Sequence, residues 1–166
     1  MALQTIPNDV HVDGNLSSKT FTPAAGSVGN SAIAALAGIS ASKLQKRRYA
    51  DYAQPHGSAA TSVRIPIHRV KGATGVLNSF KCLSVVLNIG AATISIQLKK
   101  NGTNILTAPI VLDSTNTAFV AEDAPGFTST TLVAGDVLEV DITATAGGGT
   151  LGQGLYCVAE IDEDAV

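Results

Sequence analysis

The sequence predicts an all-β chain: an antiparallel β-sandwich or jelly roll of about seven to eight strands, preceded by an extended N-terminal arm and one or two short helices. Strict alternation is the first reason. From Thr93 onward Ile94, Ile96 and Leu98 alternate with Ser95, Gln97 and Lys99, and Leu138, Val140 and Ile142 alternate with Glu139, Asp141 and Thr143. A period of two places one set on an apolar pleat face and the other in water. Turn chemistry is the second. Asn101-Gly102 supplies two residues that tolerate positive φ, as a two-residue hairpin requires, and Ala134-Gly135-Asp136 marks another reversal. Composition is the third: hydrophobic residues make up 45% of the chain but aromatics only 4%, with no Trp, so the core is built from Val, Ile and Leu.

The 166 residues suffice for one domain with a sizeable core. Charged residues are 14% of the chain, low beside the roughly 25% of an average soluble domain. The surface is therefore rich in Ser, Thr, Asn and Gly, or covered by other subunits. The net charge of −2 argues against a bulk polyanion binder but hides an asymmetry: residues 1–60 hold five basic and three acidic side chains, residues 61–166 six and ten. MALQTIPNDVHVDG lacks the basic and apolar regions of a secretory signal, and the longest apolar run, 32–37, is far short of the roughly 20 residues that span a bilayer. Synthesis in a cytoplasm and no membrane partner are expected. Cys82 and Cys157 both sit in strand-like runs and read as buried thiols; a cross-strand disulfide fits the spacing but not a reducing compartment.

Two regions follow, a 1–60 arm with short helices and a 61–166 sandwich. Residues 1–30 are polar and Gly/Ser/Thr-rich, with one short strand–turn signal at Val10, His11 and Val12. Such an arm orders by lying across another surface. Asn30 or Ser31 can cap a helix over 32–37 that Gly38 stops, and Ser40 can cap a second over 41–50. On that second helix Lys43, Lys46 and Arg47 share a face, with Leu44 beside Arg48 off it. The cluster reads either as a solvated helix face or as a basic patch for an acidic partner; nucleic acid is disfavoured by the single short cluster and the absent aromatic platform.

From Thr61 the pattern is strands throughout. Val63, Ile65 and Ile67 alternate with Arg64 and His68, and Pro66 demands an edge strand or a bulge, because proline cannot donate to a ladder. The run from Phe80 to Leu87 is apolar on both faces and hence central. Short strands are expected at 109–112 and 118–120, and a last one at 155–161 with Leu155, Cys157, Ala159 and Ile161 on one face. Glu160, Asp162, Glu163 and Asp164 read as a solvated acidic end.

No catalytic constellation is visible. His11, His56 and His68 lie in unrelated contexts without metal-ligand spacing, and no phosphate loop, nucleophile elbow or Cys/His arrangement occurs. Glu122-Asp123, placed in a loop, offers only a weak calcium site. No catalytic residue, metal or cofactor is expected.

LKKNGTNILTAPIVLDSTNTAFV, LVAGDVLEVDITATAGGGTLGQGLYC, FTPAAGSVGNSAIAALAGISASKLQ and RRYADYAQ together resemble the capsid decoration, or cement, proteins of tailed bacteriophages, whose β module also occurs in head fibres. The resemblance spans roughly residues 10–160, and its motifs describe turns and fold rather than chemistry. It implies a virion protein on the outer capsid surface that binds assembled major capsid protein, clamps neighbouring capsomers and associates with itself as a homotrimer. Residues 10–52 are then the contact region, with Phe21, Ile33, Leu36, Ile39, Leu44 and Tyr49 as apolar anchors and Lys43, Lys46, Arg47 and Arg48 steering. The acidic C-terminal residues could instead receive that basic patch from an adjacent copy. A head-fibre or spike module that binds a host glycan is the alternative on the same scaffold.

Overall fold

The computed structural model describes residues 45–164. Its ten strands are β1 (Gln45–Ala53), β2 (Val63–Arg69), β3 (Thr74–Val86), β4 (Thr93–Lys100), β5 (Thr103–Asn104), β6 (Ile110–Leu112), β7 (Glu122–Asp123), β8 (Thr131–Val133), β9 (Val137–Thr145) and β10 (Gln153–Asp164). They form two five-stranded antiparallel sheets. One runs β1-β10-β3 with β7 and β8 pairing different stretches of β3; the other runs β2-β9-β4 with β5 and β6 both against β4. First pairs with last, second with second-to-last and third with third-to-last, while β4 folds back on β5 and β6. That nesting is a long hairpin rolled over itself, the jelly-roll order of two Greek keys.

The tip of the rolled hairpin is the predicted Asn101-Gly102 turn. Asn101 has φ 50° and Gly102 φ 84°, both left-handed, which matches the twist of the flanking strands. Asn101 also ties this turn to the second one. Its Nδ2 donates to Asp136 Oδ1 at 2.7 Å, and Val137 N donates to its Oδ1 at 2.8 Å. Asp136 Oδ2 in turn accepts from Val133 N at 3.0 Å, closing the Gly135 reversal at φ 92°.

Alternation places Ile94, Ile96 and Leu98 opposite Leu138, Val140 and Ile142 in one inner face and Leu77, Phe80, Cys82, Leu155, Cys157, Ala159 and Ile161 in the other; all are buried. β3 is central, as its two-sided apolar run predicted, and β2 is both an edge strand and bulged. Pro66 faces Glu139 while His68 faces Leu138, so Ile67 is the inserted residue. Cys82 and Cys157 face each other across β3 and β10 as free thiols, and burial first, then the hydrogen bond with Cys157, pushes the Cys82 thiol well up.

Four expectations are corrected. The helix over 41–50 is, from Gln45 on, strand β1, whose nine residues all pair with β10; the sandwich therefore starts at Gln45 rather than at 61. Local i, i+3, i+4 spacing lost to a pairing partner far along the chain. Residues 118–120 form a turn, not a strand, because Asp113 and Asn116 side chains bind the 113–116 backbone into a preceding turn and Phe119 takes φ 62°. Glu122 and Asp123 lie in strand β7 rather than a loop, and their carboxylates are engaged by Asn116 at 2.9 Å and Lys81 at 2.9 Å. The acidic end 160–164 belongs to β10, with Glu163 wholly buried. The helix over 32–37 lies outside the described residues.

Two outcomes follow from this packing. Phe80→Ala empties the largest fully buried side chain, and equilibrium urea unfolding should show a loss of about 3–5 kcal/mol. Asp136 is held below the usual carboxylate range chiefly by the Val133 amide, and Glu139 by its hydrogen bond from Arg64. Folded values below unfolded ones mean that their stabilisation is complete above the ordinary carboxylate range, about 4, and is lost as pH falls through the lower folded values. Melting temperature should therefore hold from neutral pH to about pH 5 and drop below about 4, with a shallower drop in Asp136→Asn.

Candidate functional site

The basic start of β1 meets the acidic end of β10 in register, with Arg47 opposite Asp162 and Arg48 opposite Ile161. Successive side chains of a strand point to opposite faces, so the two arginines part company. Arg47 lies on the outer face, where Nε donates to Asp162 Oδ1 at 3.1 Å and Nη1 sits 3.0 Å from Glu160 Oε1. The hydrogen bond from Arg47, and then one from Asn78, holds the Asp162 carboxyl below its ordinary value, while the same contact raises the Arg47 guanidinium. Both groups stand in water, so this pair fixes cross-strand register more than it adds stability. The acidic end thus receives Arg47 from its own chain.

Arg48 points inward. There Glu163 continues the in-facing series Leu155, Cys157, Ala159 and Ile161, a carboxylate where the pattern calls for an apolar residue. Its burial is tolerable only because both oxygens are satisfied. Arg48 Nε donates to Oε2 at 3.2 Å, and His68 Nε2 hydrogen-bonds Oε1 from the opposite sheet. The bulge at Ile67 turns His68 inward to make that bond; without it His68 would fall opposite Val137 on the outer face. One buried carboxylate therefore joins β1, β10 and β2 at this end of the sandwich.

Above it opens a cleft of about 390 Å³ lined by Arg48, Tyr49, Ile67, His68, Arg69 and Lys71. Arg69 and Lys71 flank buried Val70 and are exposed, and neither has an acidic partner among the described residues. Lys46 follows the inward alternation one step before Arg48. The cleft is thus cationic, with apolar walls from Tyr49 and Ile67 and no carboxylate in its described lining; Glu163, bonded to Arg48 and His68, is already satisfied. Such a site attracts and holds anionic groups. Among the described residues no group of His, Cys, Asp and Glu could hold a metal ion, and no helix is long and apolar enough to cross a membrane.

Of the sequence-predicted contact residues, Lys46, Arg47, Arg48 and Tyr49 lie on β1, and the strand splits them between two faces and the cleft. Phe21, Ile33, Leu36, Ile39, Lys43 and Leu44 lie outside the described residues. His68, Arg69, Lys71 and Glu163 were missed as a set. Pro66 signalled the bulge that aims His68, but nothing local signalled that β1 and β2 would form the two neighbouring edges.

No protein-family profile matches the chain, and no curated protein matches it. Among solved structures it is similar to a chain of Desmodium yellow mottle tymovirus, at 12% identity and TM-score 0.31 over 99% of this chain and 96% of that one. It is similar also to dimeric latent PorU from Porphyromonas gingivalis, at 16% identity and TM-score 0.27 over 70% of this chain; the match spans 10% of that protein. Both likenesses are too low to establish a shared fold.

Replacing Glu163 with Ala leaves Arg48 and His68 without their acceptor. Because both retain some access to water, with side chains 39% and 16% exposed, the loss in chemical denaturation should be about 1–3 kcal/mol rather than that of a fully buried pair.

Proposed function

We propose that the chain is a virion structural protein, a decoration protein that binds the outside of an assembled major capsid protein shell and stabilises it. Self-association, as the homotrimer of the resembling family, multiplies its weak contacts. The observation that supports the reading is the strand order. A jelly roll is an architecture of viral capsid and lectin domains, and the motifs that carry the resemblance fall on its tip, at KNGT, and on its second reversal, at AGDVLEV.

One observation favours the glycan-binding alternative. Phe119 is 70% exposed in a left-handed turn, held by its amide to Ser84 O at 3.1 Å. An aromatic ring held out to solvent on a strained, fixed backbone fits a ligand-stacking role.

Purified chain incubated with undecorated shells should bind saturably, at a copy number set by the lattice, and raise shell melting. Replacing Phe21, Ile33 and Leu36 together with alanine should weaken that binding by on the order of tenfold or more and leave the melting of the sandwich unchanged. Absence of saturable shell binding, with binding to host cells abolished by Phe119→Ala, would establish the alternative instead.

A further inference from the structure

Sandwich edges invite pairing with other chains, and natural proteins blunt them. Among the described residues, three of the four sheet edges are blunted. β7 and β8 close one side of their sheet with two and three residues, and β5 and β6 do the same for the other. β2 is longer but carries Pro66 and the Ile67 bulge. β1 is different: nine residues, no proline, and a ladder to β10 with no register shift. At every second residue its N–H and C=O point away from β10, and no strand among the described residues takes them.

The cationic cleft opens along that edge. Arg48 and Tyr49 are adjacent and point to opposite faces, yet both line it, so it wraps around the edge of β1. Its far wall is β2, the corresponding edge of the other sheet, with Arg69 and then Lys71 projecting beyond. We propose that this edge is a strand-addition site: an extended acidic segment of a partner protein pairs with β1 through its backbone. Alternate carboxylates of that segment reach Arg48, Arg69 and Lys71. Backbone pairing supplies affinity and the cations supply the choice of sequence, the division of labour found wherever a peptide extends a sheet. The occupant is acidic because the described lining of the cleft carries Arg48, Arg69 and Lys71 and no carboxylate. It is extended because the groups it must satisfy are those of a strand.

The test uses the full chain and a capped peptide of about eight residues, the length of an ordinary strand, alternating glutamate and valine. Amide NMR should show saturable shifts and slowed exchange at alternate residues of β1. A peptide with lysine in place of glutamate should not bind, and methylation of every second peptide amide should weaken binding on the order of tenfold. The Arg69→Gln, Lys71→Gln double variant should lose a similar factor while melting as the parent does, since neither residue is buried. Equal binding of the methylated peptide, shifts confined to other edges, or tighter binding of a short thymidine oligonucleotide in the same cleft would overturn the proposal. Shell binding through the apolar anchors of residues 10–52 and strand addition at β1 fail separately: alanine at Phe21, Ile33 and Leu36 touches the first, and glutamine at Arg69 and Lys71 the second.

Discussion

The pairing of β1 with β10 is the constraint on which the other features rest. It brings together residues 115 apart in the chain, Arg47 with Asp162 and Arg48 with Glu163, and holds them in an unbroken antiparallel register. Closing so long a loop costs entropy that grows only slowly with its length, and one continuous ladder of backbone bonds offsets it. Once the first and last strands are clasped, the inner pairs are nested by necessity. The two sheets are then set face to face, with their apolar residues interdigitating between them.

The same clasp decides the electrostatics. A basic run beside an acidic one would, in an open chain, read as two surfaces waiting for partners. Rolled together, Arg47 and Arg48 are consumed internally, by Glu160, Asp162 and Glu163. What stays available is displaced to Arg69 and Lys71, contributed by the end of β2 and the turn that follows it. Glu163 is the hinge of this arrangement. A buried carboxylate adds little net stability over an apolar residue of like size, but it accepts only one placement of Arg48 and His68. It thereby fixes the mutual alignment of the two edge strands that flank the cleft.

Much of the site was out of reach of local reading for the same reason. Lys46, Arg47 and Arg48 were identified as a unit, but their helical spacing concealed the alternation of Arg48, Ala50 and Tyr52 that a strand uses. Glu163 sat inside a run of acids whose ordinary meaning is a solvated end; only the register of β10 shows that it occupies an inward position. His68 was a lone histidine until the bulge turned it toward Glu163. In each case the deciding partner lies on a strand remote in sequence.

The fold class, the central place of β3, the edge or bulge at Pro66, and both turns at Asn101 and Gly135 were legible in the chain alone. These depend on period-two alternation and on backbone conformations that only certain residues tolerate, which are local properties. Tertiary structure alone decided that residues 45–53 are a strand, that the acidic end is half buried, and that Arg48, His68, Arg69 and Lys71 share one cleft. Those outcomes are set by non-local pairing, where side-chain partners and burial outweigh the weak intrinsic preference of a short segment.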